Sequence, residues 1–217
     1  GKPADTVAAE LLLAVGERRN FSAKPLVTSL LTSSSPVIRT QAYRALRAIG
    51  TPSDMPLVLD ALLASQTEGE RTDAEKTVVA LGQKLASVDN RSAVVRTRLA
   101  AEKTTASRVR LITLLGMMGD PAALPVLRSA LKDREADVVD AAVRAMAAWP
   151  TSAAREDLLA LARDLRTETH RLLAIRGLIR TIGLDTYRDA RAVVADLRLA
   201  AGFAWRSDEQ KLVLGVL

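Results

Sequence analysis

The chain has 217 residues, enough for one large domain or two small ones; 48% are hydrophobic but only 3% are aromatic. An apolar set of alanine, leucine, valine and isoleucine favours packed helices over a β-sandwich or barrel. The absence of cysteine excludes disulfides and thiolate metal sites, and no apolar run is long enough to span a membrane. We expect a soluble protein, either cytoplasmic or, after removal of a signal peptide, periplasmic or secreted.

The formal net charge of +6 is unevenly distributed along the chain. Residues 1–90 contain 10 basic and 10 acidic side chains, whereas residues 91–217 contain 21 and 15, with the densest basic run at Arg91–Arg110. Arginine supplies 24 of the 31 cations. Because arginine makes bidentate contacts with carboxylates and phosphates, this excess indicates either solvated helix faces or a surface for an acidic partner.

The first internal repeat is a short sequence motif that contains proline, which we call the proline phrase. KPLVTSLL, MPLVLDALL and LPVLRSALK begin at Lys24, Met55 and Leu124. A second pattern accompanies this phrase, in which apolar or small residues stand one, four, five and eight places before an end residue, as on one stripe of an α-helix. The successive end residues are Gly16, Gly50, Gly119, Pro150 and Gly183, with a degenerate copy that ends near Val88–Asp89.

Each repeat is therefore predicted to be a pair of antiparallel helices, the first containing the proline phrase and the second the apolar stripe. Such short pairs bury their apolar faces only by stacking on their neighbours. We expect the end glycines to adopt the left-handed conformation, and Asp120 to cap a helix that starts at Pro121. We predict one repeat domain over residues 1–217, with units at 1–20 (partial), 21–53, 54–90, 91–120, 121–152, 153–184 and 185–217.

Two long segments, VIRTQAYRALRAIGTPSDMPLVLDAL and VRLITLLGMMGDPAALPVLRSALKD, resemble HEAT repeats, in particular the short bacterial kind also called phycobilisome-lyase-like repeats. The resemblance implies an all-α superhelix (α-solenoid) of about six helix pairs, with first helices on the convex side, bent at their proline, and second helices lining the concave side. It also implies that Arg39 and Arg108 bridge neighbouring repeats. Val139 and Leu172 stand at their positions in later copies, so this arginine ladder is expected to be broken there.

The C-terminal end has the pattern of a capping box at Ser207–Gln210, followed by an apolar helix. Because solenoids need a polar capping helix at each end, we expect the chain to be a piece of a longer array, or its last helix to pack on another surface.

Catalytic patterns are lacking in the sequence. His170 is the single histidine, without the ligand spacing of a metal site, and no nucleophile or phosphate-binding motif is present. We expect a solvated or packing role for His170. The acidic pairs Asp137/Asp140 and Asp185/Asp189 are expected to form solvated ion pairs, Asp140 with Arg144 one turn later and Asp189 with the adjacent Arg188. No catalytic residue, metal or cofactor is predicted, and the protein is expected not to be an enzyme.

The remaining candidate site lies on the second helices, at positions six and three before each end residue, which point away from the apolar stripe. We predict a basic trough on the concave face, in which intervening small residues leave room for a partner's side chains. The arginines are Arg44, Arg47, Arg144 and Arg180, and the small residues are Thr113, Gly116, Ala147 and Gly177. The expected occupant is an acidic segment of a protein partner, or of a neighbouring domain of a longer chain.

Two alternatives remain open. One is a solenoid that binds nucleic acid and resembles the DNA glycosylases for alkylated bases, which would need exposed aromatics; of the two tryptophans, Trp149 and Trp205, the first falls on an apolar stripe and is predicted to be core. The other is a bilin-lyase-type subunit. The low lysine content and Asp140 in the trough favour a protein partner over a nucleic acid. Membrane insertion is not expected, because the sequence has no basic amphipathic helix with bulky aromatic residues.

Overall fold

The computed structural model describes residues 3–87, 90–163, 167–184, 189–204 and 207–215, which form α-helices joined by short 3₁₀ turns and loops. The chain divides into two compact units, Gly1–Val95 and Arg96–Leu217. The predicted positions Val88–Asp89, Asp185, Arg188 and Trp205 lie outside the described residues, as do the side chains of Asp208 and Glu209 in the predicted capping box. Within the described ranges every regular element is helical, which confirms the all-α fold.

The first unit stacks helices in the order predicted from the repeats. Its helices α1, α3 and α5 pack side by side, α2 lies against α3, and α4 lies against α5. We call α1, α3 and α5 second helices, and α2 and α4 first helices. Their bounds are α1 Pro3–Glu17, α2 Lys24–Ser29, α3 Pro36–Ile49, α4 Met55–Ala64 and α5 Glu68–Gln83.

The second unit repeats this arrangement. The second helices α7, α9 and α11 pack side by side, the first helices α8 and α10 lie against α9 and α11, and α12 and α13 follow on α11. The boundary between the units falls within α6, Ala93–Ala101. The other bounds are α7 Thr105–Met118, α8 Leu124–Ala130, α9 Ala136–Ala147, α10 Arg155–Arg163, α11 Glu168–Leu184, α12 Ala190–Phe203 and α13 Ser207–Leu214.

The predicted apolar stripes form the core of both units. In α3, Ala42, Ala45, Leu46 and Ile49 are all buried. The corresponding stripes of α7, α9 and α11 are buried as well, except for half-buried Met118. Burial of such stripes is the main favourable term in stacking short helix pairs.

The proline phrase marks a change of helix type. Before α2, α4, α8 and α10 the chain makes a 3₁₀ turn, and Pro25, Pro56 and Pro125 each occupy the second residue of the α-helix that follows. At that position proline loses no helical hydrogen bond because the first N–H groups have no partner within the helix. α10 has the same turn with Glu156 in place of proline, so the turn belongs to the repeat and does not require proline.

The prediction that the end glycines are left-handed holds for only one of the four. Gly119 is left-handed, with φ of 62°, and Asp120 caps the next turn by accepting a hydrogen bond from the Ala122 N–H at 2.9 Å, as expected. Gly50 instead leaves α3 in an extended conformation, and Gly16 and Gly183 lie inside α1 and α11. Glycine at these three positions is therefore not explained by a left-handed helix end.

Candidate functional site

Two of the four predicted trough arginines, Arg44 and Arg47, converge on one carboxylate. Arg44 on α3 donates from Nη2 to Asp73 Oδ2 at 3.0 Å and from Nε to both oxygens at 3.2 and 3.3 Å. Arg47 donates from Nη2 to Asp73 Oδ1. Burial of Asp73 on α5 would raise its pKa, but the hydrogen bonds and charges of the two arginines outweigh burial and lower it. Asp73 is therefore an anion held between two guanidinium groups.

Arg144 in the second unit has a similar arrangement. Its Nε donates to Asp140 Oδ2 at 2.6 Å, one turn earlier on α9, while Asp140 Oδ1 lies 3.2 Å from Nε2 of His170 on α11. The hydrogen bond from Arg144 lowers the pKa of the Asp140 carboxyl, the hydrogen bond from His170 acts in the same direction, and burial opposes both. The predicted ion pair of Asp140 and Arg144 is confirmed.

Arg180, the fourth predicted arginine, serves a helix end. Its Nη2 donates to the carbonyl oxygens of Ala147 and Trp149 at 2.9 and 2.5 Å. Lys84 plays the same part in the first unit, where its Nζ donates to the Gly50 carbonyl oxygen at 2.6 Å. A cation at the C-terminus of a helix satisfies free carbonyls and complements the helix dipole. Arg180 thus holds α9 and α11 together.

The small residues of the predicted trough do not all leave room for a partner. Gly116 and Gly177 are buried, and a Cβ atom at either position would lie 2.8 Å from a Cα atom of α9, that of Ala145 for Gly116 and that of Ala147 for Gly177. These glycines let neighbouring helices approach closely. Thr113 is exposed, and its hydroxyl donates to its own helix at the Val109 carbonyl.

The arginine ladder implied by the repeats is present in both units. Arg39 donates from Nε and Nη2 to the Glu70 carboxylate at 2.6 and 2.8 Å and from Nη1 to the Ser33 carbonyl. Arg108 pairs with Asp133 of the next repeat. The ladder is broken at Val139 as predicted.

At Leu172 the prediction of a broken ladder needs correction, because the residue before it is a buried arginine. Arg171 is 4% exposed and reaches the Phe203 carbonyl oxygen of the next repeat at 2.7 Å. Counting back from Gly183 in the sequence therefore placed the ladder position at Leu172, one residue after Arg171, which occupies it in the structure.

A second set of ion pairs joins the first helices or the turns that precede them. The pairs are Lys24–Asp54, Arg128–Asp157 and Arg155–Asp196. Much of the arginine content therefore links one repeat to the next, which favours a structural reading of those cations over free surface charge.

Each unit also has a cavity at the rim where first helices end and second helices begin. In the first unit this rim pocket has a volume of about 380 Å³ and includes Arg39 and Glu70 in its wall. In the second unit the rim pocket has a volume of about 590 Å³, with Val139 and His170 at the corresponding places.

Comparison with models of protein families agrees with this architecture. A family model described as HEAT repeats matches residues 1–78 and 92–179. The chain belongs to the HEAT-repeat family. No curated protein shows a significant sequence match. Among solved structures, the chain is similar to one in the complex of CpcE and CpcF of phycocyanin lyase from Nostoc, at 16% identity and a TM-score of 0.43, covering 97% of this chain and 88% of that one.

The contact that sequence analysis missed in this HEAT-repeat protein is the one between His170 and Asp140. The two residues are 30 positions apart and belong to adjacent repeats, so only the repeat period could have suggested it. Within the described ranges no three histidine, aspartate or glutamate side chains converge to hold a metal ion.

Two further observations concern the first tryptophan and the lengths of the helices. Trp149 is fully buried, as predicted, and cannot stack on a nucleic-acid base. None of the helices in the described ranges is long and apolar enough to cross a lipid bilayer.

Proposed function

We propose that the chain is a non-enzymatic scaffold that binds a protein partner, and that the partner contacts the second helices through Arg44 and Arg144. The observation that carries this proposal is the shared state of these two residues. They stand 100 positions apart at equivalent places on α3 and α9, and their side chains remain 51% and 58% exposed although each guanidinium is held by a carboxylate.

The remaining donors of these guanidinium groups support a role in binding. Nη1 of Arg44 and both Nη groups of Arg144 make no hydrogen bond to the described residues. A guanidinium that is already oriented loses little entropy when a second carboxylate binds, so each of the two arginines can add affinity for an acidic segment. The non-enzymatic part of the proposal rests on the sequence, which has one histidine, no cysteine and no catalytic motif.

Arg47 and Arg180 receive a different role in this proposal. Arg47 completes the pair of guanidinium groups around Asp73, and Arg180 caps α9. We expect changes at these two residues to affect folding as well as binding, which makes them unsuitable for a binding test.

Affinity capture from native extract tests the proposal, with the captured material analysed for both protein and nucleic acid. The wild type is compared with Arg44→Gln/Arg144→Gln and with a control, Arg191→Gln/Arg198→Gln, which removes the same charge from exposed sites on α12. We expect a protein that the wild type and the control retain and the first variant loses. Equal retention by all three, or capture of nucleic acid alone, would contradict the proposal.

A further inference from the structure

The two rim pockets occupy equivalent positions in the repeats but differ in the residues that line them. Six lining residues of the first pocket have a counterpart 100 positions later in the second. The pairs are Leu31/Leu131, Thr32/Lys132, Ser33/Asp133, Arg39/Val139, Ala61/Leu161 and Glu70/His170.

The first pocket is partly filled by the chain itself. The long side chain of Arg39 lies in its wall, bound to the buried Glu70 carboxylate by two hydrogen bonds and to the Ser33 carbonyl by a third. The bridge thus satisfies both charges internally, and neither remains for a ligand.

The second pocket lacks this bridge because both of its members are replaced. Val139 is too short to cross between the helices, and His170 turns to Asp140 on α9. The cavity is larger as a result, about 590 Å³ against about 380 Å³. A cavity of about 150 Å³ lined by apolar groups already holds benzene, so this one has room for more than one aliphatic side chain.

The lining of the second pocket defines what it would accept. Leu131, Val139 and Leu161 provide apolar surface, Val143 is buried, and polar groups form about half of the accessible lining. At the mouth, Asp133 is held by Arg108 and His170 by Asp140, whereas the exposed ammonium of Lys132 has no ion-pair partner among the described residues. Among the described lining residues the unneutralised charge is positive, so the pocket suits an apolar group that has a carboxylate beside it.

We propose that the rim pocket of the second unit binds an apolar side chain in a segment of the partner protein, and that an acidic residue next to it in that segment pairs with Lys132. This inference rests on the proposed function and adds a specific contact to it. Several lining residues, among them Ala136 and Thr167, are exposed, which fits a peptide laid across the rim. A small molecule would normally be enclosed on most of its surface.

Selection from a library of random short peptides displayed on phage tests the inference even before the partner is identified. The library is selected on the full chain and counter-selected on Val139→Arg/His170→Glu. This double variant introduces the bridge of the first unit into the pocket, and we call it the filled variant. We expect a consensus in which a leucine, isoleucine or phenylalanine stands within two positions of aspartate or glutamate. Failure to enrich any peptide, or a consensus of basic residues, would overturn the inference.

Binding of one selected peptide, labelled with fluorescein, is then measured by anisotropy. The filled variant should bind at least about tenfold more weakly while its thermal unfolding midpoint does not fall. If that variant fails to fold, Lys132→Glu still tests the inference because Lys132 is exposed; its counterpart Thr32→Glu is the control. We expect weakening by Lys132→Glu alone, and equal binding by Lys132→Glu and wild type would contradict the inference.

The two proposals fail separately. Peptides that do not distinguish the filled variant would overturn the pocket assignment, yet loss of the captured protein in Arg44→Gln/Arg144→Gln would still support the scaffold. Conversely, a partner retained by that variant but lost by the filled variant would move the binding surface to the rim pocket and contradict the role of the two arginines.

Discussion

Arg39 and Arg44 lie on the same helix, yet their guanidinium groups have different surroundings. Arg39 uses all three of its nitrogens within the protein, and its partner Glu70 is only 2% exposed. Arg44 shares Asp73 with Arg47 and keeps half of its side chain in solvent. Removing Arg39 would leave the buried Glu70 carboxylate without its arginine, which is strongly destabilising. Asp73 is buried as well, but without Arg44 it still pairs with Arg47. Arg39 is therefore a structural residue, whereas Arg44 is free enough to take the binding role proposed for it.

The pH dependence of stability should reveal the Arg39–Glu70 pair. The hydrogen bonds from Arg39 lower the pKa of Glu70 below its ordinary value, which is about 4.3. A carboxyl with a lowered pKa stabilises the fold above its unfolded pKa, and this stabilisation is lost as the pH falls through the folded pKa.

We expect the free energy of unfolding of the wild type to fall more steeply from about pH 5 to pH 3 than that of Glu70→Gln, measured by chemical denaturation at a series of pH values. The variant is less stable at neutral pH, where it lacks the ion pair. Parallel pH profiles for the two proteins would show that Glu70 contributes nothing through its charge.

At the level of elements, neighbouring second helices approach each other through glycine and alanine. A Cβ atom added at Gly116 of α7 would lie 2.8 Å from the Cα atom of Ala145 on α9, and one at Gly177 of α11 would be equally close to Ala147. Backbone atoms cannot move aside as side chains do, so the helices would have to separate. The absence of side chains at these points therefore sets the spacing of the stack.

Gly116→Ala is expected to destabilise the fold by about 1–3 kcal/mol through overpacking. Gly69→Ala on α5 is the matched control because a Cβ atom there meets nothing within 4 Å. We expect this control to leave the thermal unfolding midpoint unchanged or to raise it, since alanine favours helix more than glycine does. Circular dichroism at increasing temperature distinguishes the two, and a loss of equal size in both variants would refute the packing argument.

Local sequence patterns predicted the helices, but they did not predict the contacts between residues far apart in the sequence. The spacing of apolar residues gave the stripe of α3, and Gly119–Pro121 gave a helix end and a cap, because both depend on residues close in sequence. The partners of Arg44 and His170 lie 29 and 30 positions away in the adjacent repeat. Finding them requires the register of one helix against the next, which depends on packing and not on local pattern.

For the same reason the sequence did not show how Gly177 is used. Its position away from the apolar stripe was correct, but only the close approach of α9 explains why it is buried. The rim pocket escaped prediction as well, although the break in the arginine ladder at Val139 was visible. A missing bridge becomes a cavity only when the helices around it are in place.

At the scale of the whole molecule, the repeat period recurs in the ion pairs. Lys24–Asp54, Arg39–Glu70 and Arg128–Asp157 join residues 30, 31 and 29 positions apart. The count of 31 basic side chains therefore overstates the cations that are free for a partner, because these three already face carboxylates of the next repeat. Within each unit, this pairing of the described cations agrees with the proposed recognition of an acidic protein segment at a few fixed arginines.

The most direct test of this account is the affinity of the captured partner, once isolated, for wild type, Arg44→Gln/Arg144→Gln and Arg191→Gln/Arg198→Gln, measured at low and at physiological salt. We predict that the first variant binds about tenfold more weakly, a loss of about 1.4 kcal/mol, and with a smaller dependence on salt. The control should bind as the wild type does. Equal affinities for all three proteins, or equal weakening of both variants, would contradict the assignment of binding to Arg44 and Arg144.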